Sequence, residues 1–187
     1  MATTQAPAPT TGRSTWQIDP AHSHVEFAVR HMMIATVKGR FAEFTGTVEA
    51  EEKDPTRATV RAEIVAKSID TRTEQRDAHL RSPDFLDADR FPTITFAGKR
   101  IERAGSGLRL IGDLAIRGVT REIALDVEDL GRGKDPWGQE RAAFHATGTL
   151  DRTAFGLNWN QALEAGGILV SNDVRLSIDV QLVKQQG

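Results

Sequence analysis

The side chains that could do chemistry here are few. His22-Ser23-His24 places two imidazoles two residues apart; on a strand they share one face at a spacing a metal ion can bridge. With Asp19 or Glu26 nearby, a metal-assisted hydrolase or isomerase using His22 and His24 is one reading. A catalytic zinc normally takes a third ligand, and no further His or carboxylate stands at a recognisable spacing. The other reading is that Asp19-Pro20-Ala21-His22 opens a strand and its polar groups satisfy backbone donors. Ser23, Asp77 and His79 contain the residue types of a hydrolase triad, without the Gly-x-Ser-x-Gly elbow that would expose a nucleophile. Arg76, Asp77 and His79 suit either an anion site or a local network holding a helix in place. His31 shares the apolar face of its strand, as a satisfied core histidine or as a polar anchor.

The composition narrows the field. The chain has 187 residues, 39% hydrophobic and 27% charged, which suits one globular domain. It has no cysteine, so disulfides, thiolate nucleophiles and cysteine-ligated metals are excluded. The formal net charge of −2 gives no general attraction to nucleic acid, and neither the dinucleotide nor the P-loop glycine motif occurs. Tyrosine is absent. No apolar run is long enough for a membrane-spanning helix, and residues 1–13 lack the apolar core of a secretory signal. The expectations are a disordered tail over 1–13, one domain over 14–187, and a cytoplasmic location.

The elements that must position these groups are strands. Val25, Phe27 and Val29 alternate with polar neighbours, as do Ala58 to Ala66, Leu108 to Ile116, Ala142 to Leu150 and Val174 to Leu182. Val37, Gly39 and Phe41 share a face that resumes out of phase at Phe44, which predicts a bulge near Ala42 and Glu43. Gly131 to Gly138 reads as a loop. One helix is expected over Thr73–Arg81, with capping-box spacing between Thr71 and Glu74 and a stop at Pro83; Arg76, His79 and Leu80 share its face. About eight half-buried strands and one short helix predict an all-β fold, an antiparallel sheet closed as a barrel or packed as a sandwich. Inward Gly39, Gly46, Ala62, Ala66, Gly112, Ala146 and Gly148 either leave a lumen or make room for neighbouring side chains. If they leave a lumen, Gly112→Trp would block it.

Several ordered motifs carry a resemblance. Trp16-Gln17-Ile18-Asp19-Pro20-Ala21-His22-Ser23 through Phe27 to His31, Val37-Lys38-Gly39-Arg40-Phe41 and Phe44-Thr45-Gly46 are similar to the opening blocks of the YceI-like family. So are Ser68-Ile69-Asp70-Thr71, Arg76-Asp77-Ala78-His79-Leu80, Asp84-Phe85 and Phe91 to Phe96. Gly112 to Thr120, Arg152 to Leu157 and Ser171 to Val174 resemble its later blocks.

The resemblance implies an extended, eight-stranded antiparallel lipocalin-like barrel. It implies binding of a polyisoprenoid, an isoprenoid quinone or a fatty amphiphile in the lumen, for transport or storage. It also implies homodimerisation, with neither catalysis nor a cofactor. On this reading Phe27, Val29, Phe41, Phe44, Ile64, Phe96, Leu110, Leu114, Phe144 and Ile178 are the wall candidates. Phe85, Phe91, Phe155 and Trp159 are the mouth candidates, and His31 and Arg76 the polar contacts for a head group.

Overall fold

The computed structural model describes residues 12–186. The tail expected over 1–13 lies outside them except for Gly12 and Arg13, and Arg13 opens the first strand. Alternation builds the frame. β1 (Arg13–Ile18) and β2 (His24–His31) form one bent stave, interrupted by a 3-10 turn at Pro20–His22. Asp19 starts that turn by accepting the Ala21 N–H. β3 (Ala35–Phe41) and β4 (Phe44–Glu51) form the second stave. β5 (Asp54–Val65), the short β6 (Ile69–Asp70), β7 (Thr93–Ala104), β8 (Gly107–Ile116), β9 (Val119–Lys134), β10 (Glu140–Asp151) and β11 (Val170–Lys184) follow.

Neighbours run antiparallel in the order β1–β4–β5–β7–β8–β9–β10–β11, and β11 returns to β1 with Lys184 opposite Trp16. β11 also pairs β2, which carries β3 and then β6. The result is a closed eight-stranded antiparallel barrel, so no edge is left along most of its length.

Two expectations about the strands change. The irregularity near Ala42 and Glu43 is a break rather than a bulge. Ala42 N–H donates to the Ser68 carbonyl and Val65 N–H to that of Glu43, so β3 follows β6 while β4 follows β5. Half of the loop expected over 131–138 is ladder, residues 131–134, with Glu140 opposite Lys134 and Ala143 opposite Gly131, and 135–138 form the turn. Its turn is tightened by Asp135, whose side chain accepts the N–H groups of Trp137 and Gln139.

α1 (Glu74–Arg81) forms where expected, but Thr71 is not its cap. Thr73 is the cap position, and its side chain makes no capping bond. Thr71 is buried, and its N–H and hydroxyl both donate to Asp77 Oδ1. Helical side chains lean toward the N-terminus, so Asp77 reaches back over the first turn to those donors.

Two apolar clusters close the barrel's ends. Trp16, Ala142 and Leu182 pack together at the end carrying the chain termini. At the other end Ile69, Phe85, Leu86, Leu114, Phe155 and Leu157 pack beneath α1 and its flanking loops.

The inward glycines do not supply the open space. A Cβ on Gly112 would stand 2.5 Å from Phe96 Cζ and 2.6 Å from the Ala97 carbonyl oxygen. Gly39 is likewise covered by the rings and methyls of Phe27 and Thr71. Gly112→Trp would therefore break the wall rather than plug a lumen.

Candidate ligand-binding cavity

Because every second side chain points inward, the staves jointly line one interior space. It is a cavity of about 430 Å³, running from Ile18 and Val180 beside the Trp16 cluster to His79, Phe85 and Trp159 beneath α1. Phe27, Val29 and His31 enter it from β2, Phe41 from β3, Phe44 from β4 and Ile64 from β5. Phe96 comes from β7, Leu110 and Leu114 from β8, and Ile178 from β11. Arg76, Phe85, Phe155 and Trp159 reach it from the lid end.

Two of the expected residues lie elsewhere. Phe144 is on the inward face but too deep, packed against the Trp16, Ala142 and Leu182 cluster that fills the closed end. Phe91 is outside the cavity, with its ring against Gly118 and the Arg90 guanidinium 5.3 Å from its centroid.

Polar chemistry is concentrated at the lid. Arg76 Nε donates to Thr71 Oγ1 at 2.7 Å, and its Nη2 donates to the Thr71 carbonyl at 2.7 Å and to Thr73 Oγ1 at 3.2 Å. The Thr71 hydroxyl in turn donates its hydrogen bond to Asp77 Oδ1, so the group is a closed network rather than an empty anion site. Arg152 is 4% exposed, yet no carboxylate lies within ion-pair distance of it among the described residues. Its donors go to backbone carbonyls: Nε to Ser171 at 2.9 Å, Nη1 to Leu157 at 2.6 Å and Trp159 at 2.8 Å, Nη2 to Val170 at 3.3 Å. Burial pushes its pKa down and the Asp151 carboxylate pushes it back up; a guanidinium stays charged under both. One positive charge thus ties the segments 152–159 and 170–171 together at the roof.

His79 stands edge-on to Trp159, centroids 4.6 Å apart, and to Phe85 at 5.1 Å, while its Nε2 pairs with Asp84 Oδ2 at 2.8 Å.

The catalytic arrangements do not assemble. His22 sits on the 3-10 turn with Nδ1 on Asp19 Oδ2 at 2.8 Å, whereas His24 is the first residue of β2 and is exposed. The two imidazoles therefore do not share a strand face. Among the described residues no group of three or more His, Asp or Glu is placed to hold a metal ion. Ser23 exchanges hydrogen bonds with the Gln181 backbone, away from His79.

Sequence reasoning missed His79 and Arg152 as cavity residues, together with Leu86, Ile94 and Leu125. For His79 a signal existed, since it shares a helix face with Arg76 and Leu80. For Arg152 there was none, because its partners lie up to 19 residues away.

Known proteins share this architecture. The YceI-like domain family matches residues 16–182. A UPF0312 protein of Staphylococcus aureus strain USA300 is 38% identical over 169 residues, covering 90% of this chain and 96% of that protein. The crystal structure of the Campylobacter jejuni YCEI protein superposes with a TM-score of 0.73 at 27% identity, over 84% of this chain and 90% of that one. Burkholderia cenocepacia BcnA shares the fold, with a TM-score of 0.76 at 20% identity over 88% of this chain and 98% of its own. So does a polyisoprenoid-binding domain from Saccharophagus degradans, with a TM-score of 0.66 at 14% identity over 91% of this chain and 98% of its own. Matched over nearly its whole described length, the chain belongs to the YceI-like family.

Proposed function

We propose that this protein binds the apolar chain of an isoprenoid or related amphiphile inside the barrel and carries or stores it without chemical change. The observation that supports this reading is the distribution of polarity in the cavity. Its walls are almost entirely aliphatic and aromatic, with Glu26 on β2 an exception, and the polar side chains Arg76, His79 and Arg152 gather at the lid end. An apolar tail with one polar terminus has the same distribution. The Saccharophagus domain, which has the same fold, is described as polyisoprenoid-binding.

The volume sets a scale. At about 30 Å³ per methylene-sized group, taken as equal to the liquid volume of a water, the cavity of about 430 Å³ holds about 14 such groups. That corresponds to about three isoprene units in the closed form, so a longer tail must extend past the wall or the lid. On this reading Phe27, Phe41, Phe44, Phe96 and Leu114 contact the tail, and His31 and Arg76 lie nearest the head.

Organic extraction of the purified protein followed by mass spectrometry tests the proposal. A near-stoichiometric isoprenoid, quinone or fatty chain is expected, and the mass distinguishes among them. Folded protein that yields no such molecule and takes up none when offered would overturn it.

A further inference from the structure

One end of the barrel is filled and the other is spanned by α1 and its flanking loops, so the route into the cavity is a question in its own right. Trp16, Ala142 and Leu182 fill one end, and the carbonyl bonds of Arg152 with the Thr71–Asp77–Arg76 network hold the other. The wall has one weak place. β9 and β10 pair only from Lys134 and Glu140 to Asp126 and Thr147. Beyond that point β9 residues 119–125 bond only to β8, and β10 residues 148–151 only to β11.

A groove of about 760 Å³ lies over this unpaired stretch. Ile123, Leu150, Phe155 and Leu176 line both the groove and the cavity, so a single layer of side chains separates them. Phe155 is the stopper. It is 1% exposed and ends the 3-10 turn Arg152–Phe155, directly before Gly156 at φ 79°. Parting the strands here breaks no ladder hydrogen bond.

The rim of the groove carries both signs of charge, with three arginines against the two carboxylates, Asp126 and Asp151, that have no ion-pair partner among the described residues. Arg109, Arg121 and Arg175 line it, and none of them forms an ion pair among the described residues. Its carboxylates are mostly engaged: Glu122 by Lys99 and Arg100, and Asp151 by the N–H and hydroxyl of Thr153. Asp126 stands across the ladder from Arg109 without pairing with it.

We infer that the unpaired seam between β9 and β10 is a side entrance to the cavity, stoppered by Phe155, whose rim arginines Arg109, Arg121 and Arg175 receive the anionic head of an amphiphile as its chain passes inward. The inference rests on the cavity being a lipid site. It also gives a tail longer than the cavity a way out through the wall.

The absence of cysteine makes an introduced thiol unique. Thr149→Cys, exposed in the groove, is modified with a bulky maleimide; Glu63→Cys, exposed on β5 away from the groove, is the control. Uptake of cis-parinaric acid is followed by stopped-flow fluorescence. Modification at 149 is expected to slow uptake at least about tenfold with the final signal retained, and modification at 63 to leave it unchanged.

The combined Arg109→Glu, Arg121→Glu and Arg175→Glu variant should slow the acid about tenfold while sparing its methyl ester, with the difference shrinking as salt rises. Uptake by unmodified Thr149→Cys at the wild-type rate, unaltered by the adduct, overturns the entrance and leaves the binding site standing. No uptake by any form, wild type included, overturns both.

Discussion

Ligand chain length is the most direct probe of the cavity. Each methylene moved from water into the barrel contributes about 0.8 kcal/mol, about a fourfold gain in affinity at 25 °C. The cavity of about 430 Å³ accommodates about 14 methylene-sized groups at about 30 Å³ each. A series of saturated carboxylates from about eight to about twenty-two carbons should therefore bind with affinity rising about fourfold per carbon and level off near fourteen. Absolute affinity stays well below the gross sum, because ordering the chain and losing its free translation oppose binding. Displacement of cis-parinaric acid, at concentrations below micelle formation, reads the series.

A substitution gives the internal control. Ala146 is 9% exposed and lines the cavity, so Ala146→Leu adds about three carbon atoms to the interior and should shorten the plateau by about three carbons. Affinity independent of length, a rise that never levels off, or a plateau unmoved by Ala146→Leu would each refute the reasoning.

Two further predictions concern the frame. Gly112→Ala should cost about 1–3 kcal/mol in urea unfolding, because the new methyl meets Phe96 and the Ala97 carbonyl oxygen; an unchanged midpoint would show that the wall yields there. The Arg141 bridge makes stability depend on acid. Arg141 Nη1 donates to Asp19 Oδ2 at 2.7 Å, and that bond, followed by the one from His22, holds the Asp19 carboxyl below its usual range. A carboxyl depressed in the folded state stabilises the fold above its unfolded value of about 3.9 and loses that contribution as pH falls through the lower folded value. The stability gap between wild type and Arg141→Met should thus be constant at neutral pH and shrink below about pH 4. Arg141 Nε also donates to Asp135 Oδ2 at 2.9 Å and lowers the pKa of that carboxyl, so a gap independent of pH would separate Arg141 from both carboxylates.

How much of this was legible in the sequence depends on the range over which each feature is fixed. Period-two alternation is local, so it assigned Val25, Phe27 and Val29 to one face and led to an antiparallel sheet, while its closure into a barrel came from the resemblance of the ordered motifs. The stop at Pro83 bounded α1 in the same way. Alternation fixes the face of a side chain but not its depth along the barrel, which is why Phe144 was expected in the cavity and lies in the plug. Phe91 sits in a connection with no period, and only the position of Gly118 shows where its ring goes. The small inward residues were ambiguous between space and accommodation; at Gly39 and Gly112 accommodation is the answer. The roof was least legible. Its organiser is Arg152, whose acceptors are carbonyls that any sequence would supply.

The roof matters because an empty apolar cavity is costly. Left unfilled, about 430 Å³ of apolar space would cost about 10 kcal/mol against a close-packed interior at about 24 cal/mol per Å³, comparable with the whole stability of an ordinary domain, about 5–15 kcal/mol. A cost of that size favours inward relaxation of walls that nothing fixes. The closed ladder fixes the staves. A lid held only by apolar contacts would slide inward, since such contacts are non-directional. The bonds of Arg152 to Leu157, Trp159, Val170 and Ser171 are directional and would be broken by any such slide. The polar groups at the mouth therefore hold the space open, and on the proposed reading a bound chain would remove the cost of leaving it unfilled. Protein stripped of its cargo by detergent exchange should melt at a clearly lower temperature in calorimetry, and readdition should raise the midpoint progressively with cargo concentration. If stripped and loaded protein melted together, the filling of the interior would contribute nothing to the fold, and a lipid-shaped cavity could no longer be the reason for this barrel's construction.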